Sequence, residues 1–349
     1  MRFFTLILII FTSFFGLFSC SLDSQSTKQL NVEGAFGEPS LPEQEIFEIK
    51  ANGETLYAGT DNNLYLKSEK ESAWQPLGLP AGKVRTFVVL SEQELLASVN
   101  FNNGDSSTIA RTNDGGKSWN PFRNEYGGNL QVIPFSMDAE KKNPAVIFAR
   151  SSPFMYVARS INGGANWENL IGTWNNPNLG AGIFVKIDSN NPQNVWAGGA
   201  NAFFQPSLFK SENGGDDWKG LTVLKNTEDT IHDLLINPNS SDQAIIGLGG
   251  ILKTTDNGES WEAAFTEAAI YTFTHSAHNP EIVYASGVNA KGQLFFIASN
   301  DFGDSWQTVE FESGPTQIRV NDMVSVLENG KEVLYFGTNK GVYSYSLEN

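Results

Sequence analysis

The sequence has 349 residues, with 39 acidic and 23 basic side chains, a formal net charge of −16, one Cys and three His. A disulfide framework needs paired cysteines and a structural zinc site needs several Cys or His ligands, so both are excluded, and we expect neither a metal nor a cofactor. A surface this acidic repels phosphate backbones and anionic headgroups, which argues against nucleic-acid binding and against polybasic membrane attachment.

The chain begins with a segment that has the features of an export signal. Met1 and Arg2 precede an uncharged run of 17 residues (3–19) that is rich in Phe, Leu and Ile. A membrane-spanning helix needs about 20 apolar residues, so this run is short for one, and it lies where a secretory signal lies. We therefore expect residues 1–19 to be a signal peptide.

The run ends at Leu17-Phe18-Ser19-Cys20, which resembles the lipobox of bacterial lipoproteins, with Phe18 where a small residue is usual. In that family the signal is cut before the Cys, which then carries the lipid. A free or buried cysteine is the alternative, but the mainly polar residues 21–27 offer no core for it. The resemblance predicts lipidation at Cys20 and a lipid-anchored protein of the cell envelope, on the periplasmic or surface side, with the outer membrane as the expected membrane. Each buried methylene contributes about 0.8 kcal/mol, so acyl chains anchor a domain without a spanning helix.

Residues 20–43 combine Ser, Gln, Asn and Gly with Pro39 and Pro42 and show little apolar periodicity, which predicts a flexible tether. No second linker follows. Residues 44–349 are therefore expected to form one domain, because closed all-β folds reach this length as a single unit.

A short motif recurs along this domain. It reads TNDGGKSW (112–119), SINGGANW (160–167), SENGGDDW (211–218), TTDNGESW (254–261) and SNDFGDSW (299–306), with a shortened copy, SEKESAW (68–74). The shared pattern is Ser/Thr-x-Asp/Asn-x-Gly-x-x-Trp, and successive Trp residues are 43 to 51 positions apart. Such a period indicates a repeat fold.

The motif resembles the Asp-box, or BNR, repeat of sialidase-like, sortilin-like and xyloglucanase-like β-propellers and of a photosystem assembly factor of the same build. Asp and Asn side chains accept hydrogen bonds from nearby backbone N–H groups, and Gly permits positive φ, so the box closes a tight hairpin that the Trp covers. In the family the boxes lie opposite the active site, which implies a structural role. The residues concerned are Asp114, Asn162, Asn213, Asp256 and Asp301, with Trp119, Trp167, Trp218, Trp261 and Trp306.

Two β-rich runs precede each box, a third leads into it and a fourth follows the Trp. Four short strands per repeat, separated by Gly, Pro and Asn turns, are typical of a propeller blade. First strands are expected near residues 46, 85, 131, 182, 230, 270 and 318, which predicts an all-β, seven-bladed β-propeller; six blades plus a terminal sheet is the alternative. The last repeat lacks a fourth strand, which we expect residues 29–32 to supply, because closure removes exposed sheet edges.

Catalytic residues are not identified by this sequence. A glycosidase needs two carboxyl groups at a defined separation, and 39 acidic residues make some pair inevitable. Sialidases bind their substrate carboxylate with three Arg, but here only Arg85 and Arg319 lie near first strands, and the family's Phe-Arg-Ile-Pro motif is absent. His232 and Asp233 are adjacent on a predicted strand and should face opposite ways.

Two further sets of residues are interpreted as ordinary surface. His275 and His278 have no Cys or third His nearby, which favours a hydrated turn over a metal site. The cations directly before the box Ser or Thr are expected to be solvated; they are Lys67, Arg111, Arg159, Lys210 and Lys253.

Binding residues are expected in the loops of the face opposite the boxes, where blades two to four carry aromatic side chains beside amides. The residues are Phe122, Arg123, Tyr126, Phe154, Trp174, Phe203 and Phe204. Exposed aromatic rings mark interfaces, and they can stack on sugars or hold a peptide. The alternative is that these rings pack under their own loops.

These observations predict a monomeric, non-catalytic propeller that binds a protein or glycan partner at the cell envelope. The alternative is a glycoside hydrolase acting on an extracellular polysaccharide or glycan. A fold hosts many functions, so the site must decide between the two.

Overall fold

The computed structural model describes residues 30, 32–68, 71, 73–101, 107–122, 133–152, 157–170, 182–201, 203–223, 229–289, 291–309, 315 and 317–348. Regular structure in these residues is entirely β-strand. They include no helix with the length and hydropathy to cross a membrane.

The described strands form seven antiparallel sheets of four strands each. The first strand of the chain, β1 (Gly34–Phe36), belongs to blade 7. Blade 1 contains β2 (Ile46–Asn52), β3 (Thr55–Thr60), β4 (Leu64–Lys67) and β5 (Gln75–Pro76). Blade 2 contains β6 (Gly82–Val89), β7 (Leu95–Phe101), β8 (Ser107–Thr112) and β9 (Asn120–Phe122). Blade 3 contains β10 (Ile133–Ala139), β11 (Ile147–Ser152), β12 (Val157–Ser160) and β13 (Glu168–Asn169).

The remaining blades repeat this order. Blade 4 contains β14 (Gly182–Ile187), β15 (Val195–Ala200), β16 (Pro206–Ser211) and β17 (Lys219–Leu221). Blade 5 contains β18 (Asp233–Asn237), β19 (Ser240–Gly247), β20 (Ile251–Thr254) and β21 (Glu262–Phe265). Blade 6 contains β22 (Ala269–His275), β23 (Val283–Val288), β24 (Leu294–Ser299) and β25 (Gln307–Thr308). Blade 7 contains β26 (Val320–Glu328), β27 (Lys331–Thr338) and β28 (Gly341–Leu347), with β1 outermost.

The sheets form a closed ring. The first strand of each blade contacts the first strand of the next, and β26 of blade 7 contacts β2 of blade 1. Each seam between blades is filled by one cluster of buried apolar side chains. The seven-bladed prediction is confirmed, with first strands within three residues of the predicted starts, and the six-bladed alternative is wrong.

The ring is closed by the N-terminal strand, a few residues later in the chain than expected. β1 pairs antiparallel with β28, with Phe36 opposite Tyr345, whereas the prediction was residues 29–32. The Phe36 ring centre lies 5.0 Å from that of Tyr345 and 5.8 Å from that of Phe336, so burial of this ring fixes the register. Val32 is instead buried in the seam between blades 6 and 7, where its carbonyl accepts a hydrogen bond from Tyr345 Oη at 3.1 Å.

Each Asp-box closes the hairpin between the third and fourth strands of its blade. In blade 2, Asp114 Oδ1 accepts hydrogen bonds from Thr112 Oγ1 at 2.7 Å and from the Ser118 N–H at 2.9 Å, and the Gly116 N–H donates to Thr112 Oγ1 at 2.9 Å. The same three bonds recur in the other four boxes. Where Asn replaces Asp, the amide oxygen keeps these bonds without the charge.

The expectation that the cations before the boxes are solvated was wrong for Lys210 and Lys253, which are buried. The side chain of Lys210 is 3% exposed and that of Lys253 is 8% exposed. Lys253 Nζ lies 2.5 Å from Asp304 Oδ1, Lys210 Nζ donates to Asn257 Oδ1, and Arg159 Nη1 donates to the Gly214 carbonyl at 2.6 Å. Each partner belongs to the box of the following blade, so these side chains fasten neighbouring blades.

Candidate functional site at the channel mouth

The two faces of the ring differ in what they carry. The boxes lie beside the turns that join first to second strands: the Gly115 N–H donates to the Gln93 carbonyl at 3.0 Å and the Gly214 N–H to the Gln193 carbonyl at 2.8 Å. Because the strands are antiparallel, the second-to-third strand loops and the beginnings of the first strands lie at the other end. We call this end the box-free face.

On the box-free face, every blade directs one side chain into the mouth of the central channel. A β-bulge near the start of the first strand adds a residue in six blades, and in blade 5 both His232 and Asp233 stand opposite Gly247. A bulge re-aims side chains that strict alternation would separate. The seven residues, which we call the bulge ring, are Phe47, Arg85, Phe135, Ile183, His232, Tyr271 and Asn321. All of them line a cavity of about 360 Å³.

The residue after each bulge residue holds adjacent blades together. The Ile49 N–H donates to Asp322 Oδ2, the Phe87 N–H to Glu48 Oε2 and the Met137 N–H to Thr86 Oγ1, each at 2.9 Å. Equivalent bonds join Val185 to Ser136 at 3.2 Å and Phe273 to Asp233 at 3.0 Å. We call these positions the staple ring: Glu48, Thr86, Ser136, Phe184, Asp233, Thr272 and Asp322. Phe184 is its one apolar member.

The prediction that His232 and Asp233 face opposite ways was wrong. Both line the channel cavity, because the bulge geometry breaks the two-residue alternation at this point. They nevertheless have separate contacts. The His232 ring packs edge-on against Tyr271 with centroids 4.7 Å apart, and burial lowers the pKa of His232 against the opposing effect of Asp229 and Asp233. Asp233 pairs with Lys186 at 3.0 Å.

Arg85 occupies the centre of an aromatic sandwich. Its guanidinium carbon lies 4.7 Å from the centre of the Phe47 ring and 4.8 Å from that of the Phe135 ring, which come from the blades on either side. Burial lowers the pKa of Arg85, while Glu45 acts in the opposite direction. Within the part of the chain that the structure describes, Arg85 makes no hydrogen bond and no ion pair.

The other charges of the mouth are paired. Arg319 Nη2 lies 2.5 Å from Glu45 Oε1, so Arg319 and Arg85, the two arginines expected near first strands, are not equivalent. Glu48 pairs with Lys50 at 2.9 Å. Asp322 accepts its staple bond from Ile49, and burial, together with Glu48, raises the pKa of Asp322 to about 7.

A second feature of the box-free face is an exposed Phe pair in the turn between β15 and β16. Phe203 is 63% exposed and Phe204 is 73% exposed. Asn201 Oδ1 accepts the N–H groups of Phe203 at 2.9 Å and Gln205 at 3.0 Å, and Asn201 Nδ2 donates to Gln205 Oε1 at 3.0 Å. The turn is therefore rigidly framed, and the two rings project from it.

Blade 6 contains a sister turn with the same frame and without the aromatic rings. The sequences are NAFFQ in blade 4 and NAKGQ in blade 6. Asn289 Oδ1 accepts the N–H groups of Lys291 at 2.9 Å and Gln293 at 3.1 Å. Gly292 has φ of +70°, and at the matching position Phe204 has φ of +58°, a left-handed conformation that bulky residues rarely adopt.

Of the seven predicted binding residues, the structure describes the side chains of two. Phe203 and Phe204 lie on the box-free face, and they are exposed rather than packed under their loop. Phe122 ends β9, but its side chain is outside the described part of the chain, as are Arg123, Tyr126, Phe154, Trp174 and the predicted lipidation site Cys20. Ile183 on blade 4 adds a further exposed apolar side chain at the channel mouth.

The bulge ring was missed by sequence reasoning, although a signal for it exists. Bulge and staple residues stand together between apolar neighbours in seven short segments: IFEI (46–49), VRTF (84–87), PFSM (134–137), GIFV (182–185), IHDL (231–234), IYTF (270–273) and VNDM (320–323). In VRTF, IHDL and VNDM two polar residues stand between apolar ones, which breaks a period of two and indicates a bulge. In GIFV both middle residues are apolar, so there the bulge is recognised only by alignment with the other repeats.

The carboxylates of the mouth are occupied in structural contacts. Glu45, Glu48 and Asp233 each form an ion pair, and Asp322 also accepts a hydrogen bond from Thr272 Oγ1 at 3.2 Å. A glycosidase needs one carboxyl group free to donate a proton and another free to attack or activate water. Among the described residues there is also no group of three or more potential metal ligands.

No protein-family profile matches this sequence, and no curated protein does. Solved structures do match in fold. The GH74 xyloglucanase from Xanthomonas campestris has a TM-score of 0.68 at 14% identity, covering 89% of this chain and 53% of the enzyme, so this chain spans about half its length. YCF48 bound to D1 peptide has a TM-score of 0.66 at 14% identity, covering 92% of this chain and 98% of YCF48.

A third similar structure is the extracellular domain of BT4673 of B. thetaiotaomicron, described as a hybrid two component system. It has a TM-score of 0.64 at 11% identity and covers 91% of this chain and 40% of that one. These three similarities show a shared propeller fold. The three proteins are a xyloglucanase, a peptide-bound protein and part of a two component system, so the fold does not select a function.

Proposed function

We propose that this protein is a non-catalytic binding protein that holds a protein partner on its box-free face, across the Phe203–Phe204 turn and the channel mouth. The observation that carries the proposal is the exposed, rigidly framed Phe pair on blade 4. Aromatic anchors of this kind dominate binding energy at protein interfaces. The same blade carries another exposed apolar side chain on this face, Ile183, which is 38% exposed at the rim of the channel.

A protein partner is favoured over a glycan because of what the amides beside the rings are doing. Sugar recognition combines an aromatic platform with polar groups that read the hydroxyls. Here the Asn201 side chain accepts two backbone N–H groups of its own turn and donates to Gln205 Oε1. The amide oxygens beside the rings are therefore engaged within the turn, and the two Phe rings form an apolar contact surface.

Two further observations support binding rather than hydrolysis. The described carboxylates at the channel mouth are tied up in ion pairs and staple bonds, as set out above. YCF48, whose structure is described as bound to a peptide, matches this chain over nearly the whole length of both. The xyloglucanase is matched over about half of its length.

The proposal includes a cellular location. The protein is an exported lipoprotein attached through Cys20 to the cell envelope, with the propeller on the periplasmic or surface side. Its support is the apolar run 3–19 and the lipobox-like Leu17-Phe18-Ser19-Cys20. Mass spectrometry of the N-terminus of the membrane-extracted protein tests it. An acylated Cys20 is expected, and Cys20→Ser should release the protein into the soluble fraction; an unmodified Cys20 would overturn this location.

The binding proposal is tested by affinity capture from envelope extract with matched variants. Phe203→Ser combined with Phe204→Ser removes the Phe pair, and Ile161→Ser is the control, because Ile161 is 71% exposed on the face that carries the boxes. Proteins captured by the parent and by the control, but lost with the double variant, are the expected result. A glycan array and a sugar-release assay run in parallel. Glycan binding or sugar release, with capture insensitive to the double variant, would contradict the proposal.

A further inference from the structure

We propose that Arg85, held between Phe47 and Phe135, is the anion-binding subsite of the channel mouth and takes a carboxylate group of the bound protein partner. The inference rests on the proposed function and adds to it the chemistry of the recognised group. Arg85 is a residue of the bulge ring, on the same face as the Phe203–Phe204 turn.

The geometry prepares Arg85 for this role. Phe47 and Phe135 flank the guanidinium from neighbouring blades at 4.7 Å and 4.8 Å. Stacking on aromatic faces holds a guanidinium in one plane and leaves its N–H donors, which lie in that plane, to bind another group. A side chain whose orientation is fixed in advance loses little conformational entropy when a ligand binds.

Arg85 differs from the other cations at the mouth because they form ion pairs. These pairs are Glu45 with Arg319, Glu48 with Lys50, and Lys186 with Asp233. The pKa of Lys186 is raised, because Asp233, Asp138 and Asp322 outweigh the effect of burial. Lys186 thus carries a charge that its own carboxylate neighbours already balance.

Among the described residues of the channel mouth, Arg85 is the cation that has no ion-pair partner. A partly buried charge of this kind gains most from an opposite charge brought by a ligand, because the local dielectric is low. The cavity of about 360 Å³ that Arg85 lines gives such a ligand room to enter.

The surrounding charges select a carboxylate over a phosphate. Glu45, Glu48, Asp233 and Asp322 all line the same cavity, and the whole chain has a net charge of −16. The same cavity is lined by Lys186 and Arg319, but both are already paired with carboxylates, so Arg85 is the one cation among the described lining residues that is left for a ligand. A single negative charge is matched by Arg85, whereas the second charge of a phosphate dianion has no unpaired cation and lies among acidic side chains. The planar fork of a guanidinium also fits the two oxygens of a carboxylate in a bidentate pair.

The test uses a small acid and its uncharged isostere as probes. Binding of 4-fluorophenylacetate, 4-fluorophenylacetamide and inorganic phosphate to the full-length protein is followed by ¹⁹F or ³¹P NMR. The expected result is that the acid binds at least tenfold more tightly than the amide, and that phosphate binds more weakly than the acid. An equal affinity for acid and amide, or tighter binding of phosphate, overturns the inference.

Variants assign the preference to Arg85. Arg85→Gln should abolish the difference between acid and amide, and Arg85→Lys, which keeps the charge but not the planar fork, should retain part of it. Arg319→Gln combined with Glu45→Gln is the matched control: it removes a cation from the same mouth together with its partner, so that no carboxylate is freed beside Arg85. An unchanged acid preference in Arg85→Gln, or a loss in the control as large as in Arg85→Gln, overturns the assignment.

The same variants separate this inference from the proposed function. If capture of the partner depends on the Phe pair while acid and amide bind equally, the protein is a binding protein and the Arg85 subsite is wrong. If the acid preference depends on Arg85 but capture is insensitive to the Phe pair, the subsite stands and the proposed protein-binding surface is wrong.

Discussion

Replacing Phe204 by Gly should stabilise the fold while weakening capture of the partner. Phe204 holds φ of +58°, and left-handed backbone costs an L-residue about 1–2 kcal/mol. Gly removes this strain but adds about 0.5–1 kcal/mol of backbone entropy to the unfolded chain. The ring is 73% exposed, so its removal sacrifices little buried area. The net expectation is a gain of up to about 1 kcal/mol in the free energy of unfolding.

Equilibrium denaturation in urea measures this change as a shift of the midpoint at constant slope. Phe203→Gly is the matched control, because Phe203 is not among the residues with positive φ; Gly there should only add entropy and destabilise by about 0.5–1 kcal/mol. Capture of the partner should fall by more than about fivefold in both variants, in line with loss of an interface anchor. If Phe204→Gly destabilises the protein as much as Phe203→Gly does, the strain argument is refuted. If capture of the partner is unchanged in Phe204→Gly, the strained Phe204 backbone does not serve partner binding.

Three further predictions concern the scaffold. The native pKa of Asp322, at about 7, lies above its ordinary value near 4, so the wild type should lose stability as pH rises from about 4 to about 7; Asp322→Asn should remove that slope in urea unfolding at a series of pH values. Phe36→Ala should cost about 2 kcal/mol of unfolding free energy, because it empties one side of the aromatic cluster that closes the ring. Arg159→Met should cost about 1 kcal/mol, by thermal or urea unfolding, because it leaves the Gly214 carbonyl without its partner.

The number of blades was predicted from the sequence, but the residues of the channel mouth were not, because the first depends on local contacts and the second on contacts between distant parts of the chain. The box is a local structure: Thr112, Asp114 and Gly116 make its bonds within five residues of chain, so its pattern survives in the linear sequence. The closing strand depends on a partner more than 300 positions away. Its register is fixed by the packing of Phe36 on Tyr345, which no local pattern encodes, and the prediction was therefore displaced by a few residues.

The channel mouth escaped prediction because the alternation rule was applied to strands that break it. His232 and Asp233 were assigned to opposite faces, and the bulge brings both to one cavity. A similar limit explains Lys210 and Lys253, which were expected in solvent. Their position on the third strand was predictable. The acceptors that bind them belong to the box of the next repeat, and contacts between repeats are not visible in the pattern of a single repeat.

Two adjacent positions in each blade are under different structural constraints. The staple position carries an oxygen acceptor in six blades, because it must receive or share a hydrogen bond at the seam; the residues are Glu48, Thr86, Ser136, Asp233, Thr272 and Asp322. The bulge position carries six different residue types in seven blades, since the bulge frees it from the ladder. The staple position also varies, but in six blades it varies only among residues with a side-chain oxygen, whereas the bulge position ranges over aromatic, aliphatic, amide and basic side chains.

The exception in the staple ring lies beside the proposed binding surface. Phe184 cannot accept a hydrogen bond, and the N–H of Leu234 in the next blade is instead bound by its own neighbour, Asp233 Oδ1, at 2.9 Å. Among the described residues, no staple bond crosses the seam between blades 4 and 5 at the mouth; this seam is held by apolar packing around Phe184 and by the ion pair of Lys186 with Asp233 at 3.0 Å. Phe184 follows Ile183 directly in the chain, and the same blade carries the exposed Phe pair. Blade 4 thus combines the one apolar staple position with the exposed apolar side chains to which we assign partner binding.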